Sequence, residues 1–520
     1  MCNWCDLQCV LLLCNKPIKW ILKYRGTKLM DFINVIENYC TTNKVAHIYK
    51  NSNLTYSELK TKSDSLAANI IDLFGKDKTP IIVFGHKDHL MLISFLACAK
   101  SGHPYIPVDI STPITRLKDI LIISGAKLII NTSDVLSDIP ANIVLNKSDL
   151  EKRLVQYENK IPNISYRLKG EDIYYIIYTS GSTGKPKGVQ ITKNCIQSFI
   201  DWSITLINEK DKIFMNQAPF SFDLSVMDTY LSLVSGSILY SIDKDMIANL
   251  PELFVNFKSS GITTWVSTPS FAEMSLQSEQ FNEKLLPELN QMLFCGETLS
   301  KECVKRLFER FPTIKIINFY GPTEATVAVT AVEIKKEMLL SKETLPVGYV
   351  KKDCAIIIEE NTNEILILGE SVSVGYFADP ILTEKFFFNS EISGVKKRGY
   401  RTGDMGYTVN GLLYYEGRID NQIKLHGYRV EIEDIENNIR KLPFIKNAVV
   451  VPIKEKGTIK YLVTAVVLND KFEGNIILTV KKFLKDLLPS YMIPRKVKVI
   501  EVLPMNANGK IDRKKIMEEF

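Results

Sequence analysis

The chain has no long apolar run. Its longest, such as Val10 to Leu13, fall far short of the roughly 20 residues that cross a bilayer, so no integral membrane segment is expected. It has no low-complexity tract and no internal repeat, and 46% of its residues are hydrophobic, which argues against wholesale disorder, collagen or a solenoid. It has 10 cysteines in 520 residues, too few and too irregular for a disulfide framework. A reducing compartment, the cytoplasm, follows as the expected location. Its charge excess is small, 65 basic against 59 acidic residues, and no nucleic-acid-binding motif accompanies it. What remains is ordinary globular composition in a chain too long for one hydrophobic core, so two or more domains are expected.

The small net charge of +6 averages three unlike regions. Residues 1–29 carry five basic side chains and one acid, with four of the cysteines (Cys2, Cys5, Cys9, Cys14). From Asn421 onward 19 basic residues face 12 acidic ones, which leaves residues 30–420 at −5. The first segment does not read as a signal peptide, because its basic residues follow Leu11-Leu12-Leu13 and no small-residue cleavage site appears. Cys2 and Cys5 have the spacing of half a metal site without a second half. Palmitoylation beside basic residues is a further reading. The plainest is a disordered leader or a mis-assigned start, with the fold opening at Met30 and an amphipathic helix from Asp31.

From Met30 strand-like runs alternate with helical patterns. Pro80–Phe84, Lys127–Ile130, Tyr174–Tyr178 and Lys315–Asn318 read as buried strands, and His89–Lys100 as a helix between them. This is the pattern of an α/β fold with buried sheets. Tyr349–Leu368 has room for a hairpin with a trimmed turn at Glu360–Glu364. Near Gly399 the texture changes. Gly399–Asp404 and Gly417–Asp420 read as polar turns, and a compact α+β pattern follows: helices at Glu433–Leu442 and Val480–Leu488, strands at Val449–Val451 and Tyr461–Leu468. The expected organisation is a large domain over 30–420 and a small one over 421–520, divided at Asp420.

One stretch carries chemistry on its face. Tyr178-Thr-Ser-Gly-Ser-Thr-Gly-Lys-Pro-Lys-Gly188 follows a strand rich in aromatic and β-branched residues. Gly181, Gly184 and Gly188 let the backbone approach an anion. Thr179, Ser180, Ser182 and Thr183 offer hydroxyls, and Lys185 and Lys187 offer charge. It is not a Walker A loop, because Pro186 follows Lys185.

With this loop the chain resembles the acyl-adenylate-forming superfamily over residues 30–520. The other supporting motifs, in order, are Asn318-Phe-Tyr-Gly-Pro-Thr-Glu324, Tyr400-Arg-Thr-Gly-Asp404, Gly417-Arg-Ile-Asp420 and Asn508-Gly-Lys-Ile-Asp512. The resemblance implies an adenylate-forming fold of layered β-sheets and helices with a mobile C-terminal domain. It implies a reaction that joins a carboxylate to the α-phosphate of ATP with Mg²⁺ and expels pyrophosphate. Such a site needs cations and oriented donors where charge develops. By resemblance Thr179, Ser180, Gly181, Ser182, Thr183, Gly184 and Lys187 would hold phosphates, and Glu324 would be the Mg²⁺ ligand. Asn318, Phe319, Tyr320, Gly321, Pro322 and Thr323 would meet the base. Asp404 would accept from the ribose hydroxyls, beside Tyr415, Glu416, Gly417 and Arg418. Lys510 would bridge the acid and the α-phosphate as the catalytic residue. Asp420 matches the family's hinge, and Gly427 the loop that later lines a tunnel for a phosphopantetheine thiol.

Asp223, in Phe220-Ser-Phe-Asp223, matches the position at which the superfamily holds an amino acid's ammonium, a use that fatty-acid or aryl-acid activators do not have. More narrowly the chain resembles the D-alanine–D-alanyl carrier protein ligase family in Gly102–Asp109, Asn216–Val226, Phe294–Glu297 and Thr323–Thr330. That resemblance implies D-alanine as substrate, with Cys295 and Val327 shaping its pocket. It also implies an acidic, phosphopantetheinylated D-alanyl carrier protein as partner, and teichoic acid D-alanylation as the purpose. The rival reading is a peptide-synthetase-type adenylation domain for another small amino acid.

Overall fold

The computed structural model describes residues 30–134, 143–181, 184–207, 212–392, 394–425, 427–455, 458–469, 472–505 and 511–520. The expectations for residues 1–29, for Ser182 and Thr183 and for Lys510 therefore lie outside the described residues.

The alternation of buried runs folds into two large sheets. In the first, the parallel strands Lys315–Tyr320, Gln291–Phe294, Thr264–Ser267, Ile213–Asn216, Ile238–Ser241 and Val45–Tyr49 lie side by side in that order. Antiparallel strands flank them, for nine in all. The second sheet has six strands, with Ile81–Gly85, Tyr105–Asp109 and Ile173–Thr179 at its centre and Lys187–Thr192 as its antiparallel edge. Side-chain alternation along the strands sorts the core. Phe214, Val266, Leu293 and Ile317 face the inter-sheet core, which also takes Ile81 and Val83 from the second sheet. Met215, Trp265, Met292 and Ile316 face the opposite side of the first sheet, and Ile82 and Phe84 that of the second.

The helix His89–Ser101 contributes to the inter-sheet core and is buried from Leu90 to Ser101. A helix apolar on all sides can be stable only when covered all round. Asp88 starts it by accepting from the Leu90 N–H, and Gly102 ends it in the left-handed region. Tyr56–Phe74 is set by a capping box, Thr55 with Glu58. No helix among the described residues is long and apolar enough to cross a membrane.

A third sheet corrects the expectation of polar turns near Gly399. Gly399–Asp404 lies inside the strand Val395–Val409, and Gly417 and Arg418 end the strand Leu412–Arg418 that pairs with it, Asp404 opposite Arg418. The glycine serves close approach in a strand and not a turn: a Cβ on Gly399 would lie 2.4 Å from the Phe388 ring of the neighbouring strand. The trimmed hairpin is present as Cys354–Ile358 paired with Glu364–Gly369.

From Leu425 the buried apolar side chains form clusters of their own on the two faces of a three-stranded sheet, Ile445–Glu455, Thr458–Leu468 and Lys496–Val499. Ala448, Val450 and Leu462 meet the helices Ile432–Ile439 and Ile476–Lys485 on one face. Val449, Val451 and Val463 meet Ile516 of Arg513–Glu518 on the other.

Candidate active site

Thr179 and Lys187, at the two ends of the loop expected to hold phosphates, are register partners of the strands Ile173–Thr179 and Lys187–Thr192. A hairpin from the C-terminal part, Gln422–Leu425 with Tyr428–Glu431, rests on this loop. The Ser180 hydroxyl donates to the Arg429 carbonyl (2.9 Å) and accepts from the Glu431 N–H (3.1 Å). Lys187 pairs with Glu431 at 3.3 Å, and burial lowers its pKa. Asp434 and Asn438 lie just under 4 Å from where a Cβ on Gly184 would stand.

Glu324 lies in the single turn Thr323–Ala325 with no solvent exposure. One carboxylate oxygen accepts from the Tyr376 hydroxyl (2.7 Å), the other from the Arg429 guanidinium (2.5 Å). Burial alone would raise its pKa, but Arg429 and Lys187 beside it bring it down to about 2. A buried carboxylate without a cation would be costly, and here the cation comes from the C-terminal part. Asp404 is likewise buried. It accepts from Tyr320 (2.7 Å) and from Arg418 (2.6 Å), and Arg418 also grips Asp420 with two bonds.

Two cavities meet at Arg418. One of about 580 Å³ is lined by Asn318, Phe319, Tyr320, Tyr415, Glu416, Gly417 and Arg418 among others. The other, of about 120 Å³, is lined by Thr179, Ser180, Asp223, Gly321, Pro322, Thr323, Asp404, Arg418, Lys424, Gly427 and Arg429 among others. Residues expected at the base, ribose, phosphate and substrate positions thus converge, although they come from every part of the chain between 179 and 427. The Asn318 amide donates to the Pro346 carbonyl (2.8 Å).

Asp223 stands immediately before the helix Leu224–Val234 without capping it and lines the smaller cavity. Its surroundings raise its pKa, chiefly by desolvation, against hydrogen bonding from Thr323 and the charge of Lys424. Cys295 is 3% exposed, and its thiol points at the Val327 carbonyl (3.7 Å). Burial pushes that thiol up to about 12, so it is neutral and a poor nucleophile; neither it nor Val327 is among the residues lining the two cavities, which the neighbouring Gly296 does line. Thr326 and Val327 both have positive φ, 56° and 67°. For a β-branched residue this is strained, and it holds the Val327 backbone against Cys295.

Sequence reasoning passed over Arg429, Tyr376 and Lys424. Arg429 had a usable signal: a buried Glu324 needs a cation, and Arg429 stands two residues after Gly427, which was already matched to a loop of the site. Tyr376 had none. Among the described residues no group of three or more His, Cys, Asp or Glu side chains could hold a metal ion unaided.

The sequence pattern of the AMP-binding enzyme family matches residues 36–377, and that of the AMP-binding enzyme C-terminal domain matches residues 434–510. A D-alanine–D-alanyl carrier protein ligase of Bacillus anthracis is 47% identical over 505 residues, covering 94% of this chain and 99% of the relative. A protein of the same name from Bacillus cytotoxicus is 48% identical over 506 residues, with the same coverage. Among solved structures, the Vibrio cholerae adenylation domain AlmE in complex with glycyl-adenosine-5'-phosphate aligns with a TM-score of 0.79 at 25% identity, over 95% of this chain and 98% of its own.

Proposed function

The chain belongs to the AMP-binding enzyme family, and we propose that it activates D-alanine with ATP to D-alanyl-AMP and pyrophosphate, then passes the D-alanyl group to the phosphopantetheine thiol of a carrier protein. The observation that carries the reading is Asp223, a desolvated carboxylate in a cavity that meets a larger one at Arg418. A charge so placed suits an α-ammonium. D-alanine in particular is supported by the names of relatives at 47–48% identity across nearly the whole chain.

In the first half-reaction the amino acid's carboxylate attacks the α-phosphorus and the bond to pyrophosphate breaks. Lys187 and the hydroxyls of the loop at Thr179 and Ser180 would offset phosphate charge. Asp404 would orient the ribose once Tyr320 or Arg418 yields a place on it. Lys510 would bridge the two anions, and Lys510→Ala is expected to cost adenylation about 10²–10³-fold while sparing transfer from preformed adenylate. Glu324 suits Mg²⁺, which asks for one or two carboxylates beside phosphate oxygens. When bound, the ion supplies charge to the phosphates. Arg429 holds one Glu324 oxygen and Tyr376 the other, and the remaining lone pairs of the carboxylate are what Glu324 would offer the ion.

In the second half-reaction the thiol sulfur attacks the acyl carbon and AMP leaves. The docking of the 422–431 hairpin over the loop at Ser180, with Gly427 at the cavity wall, suits this step. We place the work in the cytoplasm, and Cys40, Cys98, Cys195, Cys295, Cys303 and Cys354 are all unpaired, which fits. The test is ATP–pyrophosphate exchange against D-alanine, L-alanine and glycine. Strongest exchange with D-alanine is expected. A preference for another small amino acid would favour a peptide-synthetase-type activator, and no exchange with any would overturn the reading.

A further inference from the structure

The segment Cys295-Gly296-Glu297 ends the strand Gln291–Phe294 and joins two regions of the site. Cys295 packs on Val327, and Gly296 turns the chain with φ +93° and lines both cavities. The Glu297 carboxylate is bidentate between two parts of the molecule. One oxygen accepts from the Ser270 N–H (3.0 Å), in the helix Pro269–Ser275 of the large domain. The other accepts from the Gly427 N–H (2.6 Å), at the tip of the C-terminal hairpin.

The helix beginning at Pro269 makes the arrangement legible. Its N-cap, Thr268, makes no side-chain capping bond. Glu297 supplies that bond from elsewhere in the chain, which frees the Thr268 side chain to pack on Gly427. The fit there is tight: a Cβ on Gly427, whose φ is +85°, would stand 2.4 Å from the Thr268 methyl. Glu297 and Thr268 therefore grip the same backbone unit, one through its N–H and the other through its bare Cα. A carboxylate accepting N–H bonds is stronger than a neutral acceptor. The hairpin is also tied by Ser180 to Arg429 and Glu431, by Lys187 to Glu431, by Glu324 to Arg429, and by Phe222 edge-on to Tyr428, but the bond that reaches the Gly427 N–H is that of Glu297.

We propose that Glu297 is a positioning residue for acyl transfer: it fixes the Gly427 loop against Thr268 so that the incoming thiol is aimed at the acyl group, and it has no part in forming the adenylate. The proposal rests on the two-step reading above and deepens it. Its test uses the full chain and measures the half-reactions separately, pyrophosphate exchange for the first and single-turnover transfer from preformed D-alanyl-AMP to pantetheine for the second. Glu297→Ala is expected to slow transfer roughly 10–100-fold, with exchange within about threefold of the parent. Glu297→Gln keeps one acceptor oxygen and should recover part of the loss. Gly427→Ala should reproduce the transfer defect, and combining it with Glu297→Ala should add little. Hydrogen exchange provides a readout independent of chemistry: amide protection at residues 427–429 should fall in Glu297→Ala and return in Glu297→Gln. Equal loss in both half-reactions, or normal transfer with loss of 427–429 protection, overturns the proposal. Absence of D-alanine-dependent exchange in the parent protein would instead overturn the two-step reading, and the hydrogen-exchange comparison would still judge the Glu297 contact.

Discussion

At the scale of single residues, chemistry is set by what each side chain is packed against. Cys295 touches Val327 and is closed to solvent, so any effect it has on substrate choice would be steric. Cys295→Ala removes the sulfur behind Gly296, which lines both cavities, and is expected to shift the D- to L-alanine exchange ratio toward L by up to about 10–200-fold, the range one methyl-sized fit supplies. An unchanged ratio would leave Cys295 as a core thiol. Asp223 adds a pH effect of definite sign. Desolvation raises its pKa above 3.8, and only the ionised form holds an ammonium. The kcat/KM for the amino acid should therefore fall on acidification, beginning at a higher pH than an exposed aspartate would give. Asp223→Asn should remove that limb and weaken the amino acid KM by ~30-fold or more. Asp223, Glu324 and Asp404 could be singled out only by resemblance, from their places in a series of motifs, and the structure brings Asp223 and Asp404 to one cavity. Tyr376 was not legible, because a tyrosine after glycine says nothing about which buried carboxylate it will reach across 52 positions.

At the scale of elements, periodicity recovered what packing layers dictate. His89–Ser101 and the runs at Ile81, Leu128, Ile173 and Lys315 fold as their burial pattern implies, to within a few residues. The failure at Gly399–Asp404 has a definite cause. Glycine marks both turns and close strand contacts, and the phenylalanine ring that demanded Gly399 belongs to another strand. The misread stretch matters, since it places Asp404 opposite Arg418 and so two bonds from Asp420. Asp420 bridges the third sheet and the 422–431 hairpin, accepting from the Gln422 N–H (3.1 Å). Asp420→Pro fixes φ at the proposed pivot and is expected to spare pyrophosphate exchange while slowing transfer by an order of magnitude or more. Asp420→Asn keeps the backbone free and weakens only the Arg418 pair. If it slows transfer as much as the proline does, the ion pair and not rotation is what matters.

At the scale of the whole molecule, charge separates the two substrates that differ most in size. Residues 30–420 are net −5, so ATP would be met there by local groups such as Lys187 and Arg418 and not by the overall field. Residues from 421 are net +7. Between the two parts lies a further cavity of about 950 Å³, lined by Thr268, Ser270 and Tyr428 near the Gly427 tip, and by Lys244, Arg306 and Lys460 among others. Lys460 comes from the C-terminal sheet and pairs only loosely with Glu273, at 3.8 Å. An acidic carrier approaching here would be drawn by long-range attraction that salt screens, over a Debye length near 10 Å at 0.1 M. Phosphates held by close hydrogen bonds inside a cavity are screened much less. Raising salt from about 0.05 to 0.5 M is therefore expected to raise the carrier KM roughly tenfold through slower association, with the ATP KM moving less than threefold. Lys460→Glu should lower the carrier kcat/KM at low salt and flatten its salt dependence, leaving ATP–pyrophosphate exchange alone. Parallel salt shifts for carrier and ATP would mean that the carrier is recognised by its arm alone and that the basic C-terminal part does not steer it.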